Sequence, residues 1–195
     1  MNPMHSEKAT LMRLKNLPRL FRKPDAEKVA PHAAVFLSRA AARGLVHRIN
    51  RGNYINSFLY GFPGVEEVAC FLRPPAYVSC EWALNYRGIS LQVPRVCTVV
   101  TLSTAVGRGR TLTYQGIQIE FSTISQDLFF GFETVDNILM ATAEKAVLDT
   151  LHLHKGLPAA DELETDRLDP AIMAAMAEQY PRSVQRRLQA HIDLS

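Results

Sequence analysis

The chain has 195 residues, 47% of them hydrophobic, which suits one large domain or two small ones with a packed core. No apolar run approaches the length of a membrane span, and the opening "MNPMHSEKATLMRLKN" lacks the apolar stretch of a secretory signal, so a cytoplasmic protein without a membrane partner is expected. The net charge of +3 is unevenly spread: from Met1 to Phe58, four lysines and seven arginines face Glu7, Asp25 and Glu27, a balance of +8 that leaves −5 for the rest.

In chain order, the periodicity predicts three short helices and a hairpin within the first 58 residues. Ser6 is placed to cap a helix running to about Asn16, with Pro18 marking its end. Asp25 opens a second helix, "DAEKVA", and Pro31 a third, "PHAAVFLSRAAARG", which Gly44 stops as a C′ glycine. In "LVHRINRGNYI", two extended pieces flank Asn50 to Asn53, which holds the glycine of a tight turn. Helix, helix, helix and basic hairpin is the order of a winged helix-turn-helix, so residues 1–58 are expected to bind double-stranded DNA.

Helical spacing sets Ala33, Leu37, Ala40 and Ala41 on the packing side of the third helix and His32, Phe36, Arg39 and Arg43 on the other. Arginines there can bind a guanine edge or hold a phosphate, whereas Phe36 suits an exposed face poorly and leaves the helix phase open. His47, Arg48 and Arg51 in the hairpin suit phosphate or minor-groove contact.

Residues 59–195 form the second expected domain, mixed in α and β, after the linker-like "FLYGFPG". "AYVSCEWALNYRGI" is an extended piece entering a helix ended by Gly88, and "QVPRVCTVVTLS" holds a strand from about Val96. "RTLTYQGIQIEFSTI" is a hairpin about Gln115 and Gly116, and "DLFFGFE" continues the strand character. A helix then starts at about Thr142, and "DPAIMAAMAEQY" and "SVQRRLQAH" are two more at the C-terminal end.

The stretch "MATAEKAVLDTLHLH" sets Glu144, Lys145, Asp149, His152 and His154 close together among apolar residues. With Thr142 as N-cap, Glu144 meets the positive end of the helix dipole, Lys145 and Asp149 pair four apart, and Val147, Leu148 and Leu151 face inward. This local chemistry, about 0.3 to 1 kcal/mol for each interaction, makes the three charged residues structural and leaves no residue assigned to catalysis. The phosphate-loop, dinucleotide, zinc-protease and serine-hydrolase signatures are absent, and "PDAEK" lacks the separated elements of a nuclease. Cys70, Cys80 and Cys97 have neither CxxC spacing nor histidines at ligand spacing, so three buried thiols are expected, with no metal and no cofactor.

Four segments occur in order: "RAAARGLVHRINRGNYI", "YVSCEWALNYRGISLQVP", "LFFG" and "ATAEKAVLDTL". Through them the chain, from about Leu11 to Leu153, resembles the AbiEi family of antitoxins, the regulator halves of type IV abortive-infection toxin–antitoxin pairs. In that family "EKALLD"-like segments usually follow a proline, where this chain has Ala143. The resemblance implies an α+β protein with an N-terminal winged-helix domain that represses its own operon. It also implies a C-terminal domain that counteracts a nucleotidyltransferase-like toxin without a stable complex. The residues leave one other class open, an enzyme whose second domain modifies the toxin or its target; a solo winged-helix regulator is the remaining alternative.

Overall fold

The computed structural model describes residues 3–159 and 162–191. The chain is of mixed α and β structure and divides into two compact units, one ending at Gly64 and the other beginning at Val65. No helix among the described residues is long and apolar enough to cross a membrane.

The first unit runs α1 (Pro3–Lys15), β1 (Leu20–Arg22), α2 (Lys23–Val29), α3 (Ala33–Ala42), β2 (His47–Asn50), β3 (Asn53–Ile55) and the single turn α4 (Ser57–Tyr60). Helix α1 begins at Pro3, so Ser6 lies within it rather than capping it. Strand β1 has no counterpart among the sequence expectations. Its three residues are too few to show an alternating pattern, and it is held by antiparallel pairing with β3, Leu20 opposite Ile55, in a sheet ordered β1-β3-β2. Helix α2 starts two residues before Asp25, whose carboxylate accepts the Arg22 amide at 2.9 Å and closes the first turn from within. That backbone hydrogen bond, ahead of the nearby Lys28, holds the Asp25 carboxyl below its ordinary value.

Gly44 ends α3 as expected. At φ +68° it lets its own amide reach the Ala41 carbonyl and the Leu45 amide reach that of Ala40, both at 2.9 Å, the two bonds of a Schellman motif. The core joins Leu14 and Leu17 to Phe21 of β1 and to Ala33, Phe36, Leu37 and Ala40 of α3. Asn56, fully buried, donates to the carbonyls of Leu14 (2.9 Å) and Leu17 (3.2 Å) and so satisfies the end of α1. The unit extends past Phe58 because Phe62 packs on the His47 ring (4.6 Å between centroids) and its carbonyl accepts from Arg19 at 2.5 Å.

The second unit contains α5 (Val65–Leu72), β4 (Ala76–Ser79), α6 (Cys80–Tyr86), β5 (Val96–Thr101), β6 (Thr111–Tyr114), β7 (Ile117–Thr123), β8 (Phe132–Val135), β9 (Ile138–Ala141), α7 (Ala143–His152), α8 (Pro170–Ala177) and α9 (Arg182–His191). Its sheet runs β6-β7-β5-β4-β9-β8, with β5–β7 and β4–β9 parallel and the other neighbours antiparallel. All four residues of β4 are buried, as befits an interior strand covered on both faces. Gln115 and Gly116, both at positive φ, make the expected hairpin turn. "DLFFG" is not strand: Gln126–Leu128 form a 3-10 turn and the strand resumes only at Phe132. Strand β9, inside the apolar run that leads into α7, is likewise unmarked in the sequence.

Candidate nucleic-acid interface and a buried charge cluster

In the first unit the third helix sets the cationic side chains. Ala33, Phe36, Leu37 and Ala40 are buried, while His32, Arg39, Ala41 and Arg43 are exposed. The phase is therefore rotated from the sequence expectation: Phe36 belongs to the core and Ala41 to the surface. The larger apolar area decides this, since burying a phenyl ring stabilises far more than burying a methyl. Arg39 and Arg43 keep their expected outward positions, four apart and about one turn of helix from each other. His47 and Arg48 stand exposed on β2 and Arg51 at the hairpin tip, with the turn carried by Gly52 at φ +88°. The Arg48 Nε donates to the Asn50 carbonyl at 3.0 Å, which steadies its stem over the bulged register between Arg48 and Asn50. Six exposed basic side chains, His32, Arg39, Arg43, His47, Arg48 and Arg51, thus line one helix and the adjoining hairpin of a small domain.

In the second unit the charges of "ATAEKAVLDTL" are placed otherwise than expected. Thr142 does cap α7, its hydroxyl accepting from the Lys145 amide at 3.3 Å. Every residue from Glu144 to Leu151 is nevertheless buried, and both Lys145 and Asp149 are 0% exposed. The Lys145 Nζ donates to Asp149 Oδ1 (2.9 Å), to the Leu128 carbonyl (2.7 Å) and, in a short contact, to the Tyr180 hydroxyl. Asp149 also accepts from Tyr180 at Oδ1 (2.7 Å) and from Tyr77 (2.9 Å) and Ser79 (2.7 Å) at Oδ2. The ammonium lies 4.5 Å from the centroid of Phe130 and 4.8 Å from that of Tyr180, a cation–π enclosure.

This is a saturated ion pair, not a solvated helix face. Burial pulls the Lys145 ammonium below its ordinary pKa, and Asp149 opposes that pull. Burial, then the Asp149 charge, pushes the Tyr77 and Tyr180 hydroxyls upward, so both remain proton donors. Glu144 does not face solvent either: its carboxylate accepts the Asp169 amide at 3.1 Å, and Asp169 in turn caps α8. His154 lies beyond the end of α7 at φ +54°, where its Nδ1 meets the Arg187 guanidinium at 2.9 Å.

The separate motifs meet here. "YVSCEW" supplies Tyr77 and Ser79, "LFFG" supplies the Leu128 carbonyl and the Phe130 ring, and "AEKAVLD" supplies the ion pair. Gly131 is favoured on two counts, by its φ of +71° and because a Cβ there would press on the Lys145 stem at 3.1 Å. Tyr180, which donates into the same cluster from between α8 and α9, carries no signal in the sequence that ties it to Asp149. Of the three thiols, Cys80 and Cys97 are buried and Cys70 only partly so. Burial raises Cys70 and Cys80 to about 12, leaving neutral thiols.

No sequence profile of a known protein family matches the chain, and neither does any curated protein sequence.

Proposed function

We propose that this chain is a DNA-binding transcriptional autorepressor and the antitoxin of a type IV toxin–antitoxin pair, with a winged helix-turn-helix as its first unit. The observation that carries the DNA-binding reading is the row of His32, Arg39, Arg43, His47, Arg48 and Arg51 exposed along α3 and the β2–β3 hairpin. The frame beneath it supports the same reading. Its α-β-α-α-β-β order and β1-β3-β2 sheet suit a recognition helix laid in a major groove with a hairpin beside it on the phosphates. In this reading Arg39 and Arg43 face base edges, while His47, Arg48 and Arg51 hold the backbone and fix register.

The second unit is assigned the antitoxin role on the resemblance of its motifs, and it acts against a nucleotidyltransferase-like toxin without forming a stable complex. Its "AEKAVLD" segment supports that role as a structural element, because Lys145 and Asp149 have no exposed surface with which to touch a substrate.

Two measurements on the full chain test the proposal. Binding to the DNA upstream of its own gene should weaken with salt, log K falling against log salt with a slope of about −4 to −5 if four to six phosphates are neutralised. Co-expression should rescue cells from a nucleotidyltransferase-like toxin encoded beside it. Salt-independent or undetectable DNA binding overturns the repressor half, and failure to rescue with the protein present and folded overturns the antitoxin half.

A further inference from the structure

The second unit contains a cleft of about 210 Å³ lined by Cys80 and Glu81 at the start of α6, Thr98 of β5, Glu120 of β7, Thr150 of α7 and Lys155 just beyond it. Thr98 is only 4% exposed, yet its side chain lines this cleft. Its hydroxyl is not among the buried side-chain atoms left without a hydrogen-bond partner, and at the cleft wall it is a group that can both donate and accept. In the parallel register of β5 and β7, Thr98 lies directly beside Glu120, and their side chains share a face.

Glu120 is itself bonded by Lys155 and by Arg110, each at 2.8 Å. Burial works against its charge, but the hydrogen bonds and charges of Lys155 and Arg110 outweigh it and hold the carboxyl below its ordinary value. The wall of the cleft therefore offers a carboxylate and an ammonium side by side, with a second carboxylate at Glu81. The Cys80 thiol on the lining is kept protonated by burial, which suits a binding surface rather than a nucleophile.

We propose that this cleft binds a small zwitterion of amino-acid size, its carboxylate taken by Lys155 and the Thr98 hydroxyl and its ammonium by Glu81 and Glu120. The volume is smaller than the roughly 300 to 1,000 Å³ of sites for drug-sized ligands, which sets the size class. The paired charges set the chemistry. A plain anion would meet two carboxylates and a plain cation would compete with Lys155 and Arg110, whereas a molecule bearing both charges answers both. The cleft is independent of the DNA-binding reading, since all of these residues belong to the second unit.

The test is titration of the full-length protein with each proteinogenic amino acid to about 10 mM, followed by nitrogen–proton correlation spectra. At least one amino acid should shift the amides of Cys80, Thr98, Glu120 and Lys155 together and saturably. Thr98→Val and Lys155→Met should each weaken that binding about tenfold or more, while Thr98→Ser, which keeps the hydroxyl, should retain it. The same amino acid without its amine, or without its carboxylate, should bind at least tenfold more weakly. The proposal is overturned if no amino acid produces shifts at this cluster, or if the shifts lie elsewhere. It is equally overturned if Thr98→Val binds like the wild type, if Thr98→Ser loses as much as Thr98→Val, or if a singly charged analogue binds as tightly.

Discussion

The two units use charge in opposite ways. In the first, Arg39, Arg48 and Arg51 stand in solvent, where they add little to the fold and are available to a polyanion. In the second, Lys145 and Asp149 have no contact with solvent, and each is held by several partners drawn from separate parts of the chain. The difference shows in what removal would do. An exposed cation can be deleted or reversed at almost no cost to stability. A buried one cannot, because its partner is left charged in a medium that does not solvate it.

The largest expected effect comes from breaking the buried pair. Lys145→Met should destabilise the second unit by about 3 to 5 kcal/mol, since Asp149 would remain buried with only hydroxyl donors. Chemical denaturation would show it as a lower midpoint. The double variant Lys145→Met/Asp149→Leu should recover part of the loss, because no uncompensated charge remains. A loss below about 1 kcal/mol in the single variant would mean that the pair behaves as a surface salt bridge and that the two units do not differ in this respect.

Reversing the hairpin charges probes the other side of the comparison. Arg48→Glu/Arg51→Glu should lower DNA affinity well over tenfold at moderate salt and flatten the salt slope by about 0.9 for each phosphate that is no longer neutralised. Stability should stay within about 0.5 kcal/mol of the wild type, as expected for exposed positions. Rescue from the toxin, when the variant is expressed from an independent promoter, should persist; its collapse at normal protein level and melting temperature would mean that the two units do not act separately.

Arg39→Ala sharpens the division within the first unit. Where the hairpin variant should weaken binding to every sequence alike, this one should chiefly relax discrimination between operator variants, by about 1 to 3 kcal/mol at the base concerned. Equal losses on operator and unrelated DNA would place Arg39 on a phosphate instead.

The smallest effect is in the pH dependence of the second unit. Burial holds His152 below its ordinary value of 6.5; Lys145 and His154 add to the shift and Asp149 opposes it. The unfolded chain therefore takes up a proton before the folded one does, so the stability due to neutral His152 is complete above 6.5 and declines as pH falls through that value toward the folded pKa. Melting temperatures taken from neutral pH down to about pH 5 should fall less steeply in His152→Gln than in the wild type. A steeper fall in the variant would reverse the sign of the shift.

Much of this molecule is decided locally and can be read from the sequence. Gly44 and Gly88 end their helices, Thr142 and Asp169 begin theirs, and Gln115–Gly116 turns its hairpin, because each signal acts within a few residues of the structure that it sets. The charge surplus before Phe58 and the outward placement of Arg39, Arg43, Arg48 and Arg51 belong to the same class, since solvated charges need no partner. Tertiary structure alone decided the rest. Strand β1 exists through β3, and Phe36 turned inward to join Leu14, Leu17 and Phe21 in the core, where a phenyl ring buries more apolar surface than a methyl. Lys145 and Asp149 sit four apart on a helix, and sequence spacing predicts the same pair whether the helix faces water or protein. What buried them were Tyr77, Ser79, the Leu128 carbonyl, Phe130 and Tyr180, brought in from β4, the turn before β8 and the segment joining α8 to α9. Hydrogen bonds of such long sequence separation leave no periodicity to read, so only the folded chain shows that the charges of α7 hold a core together.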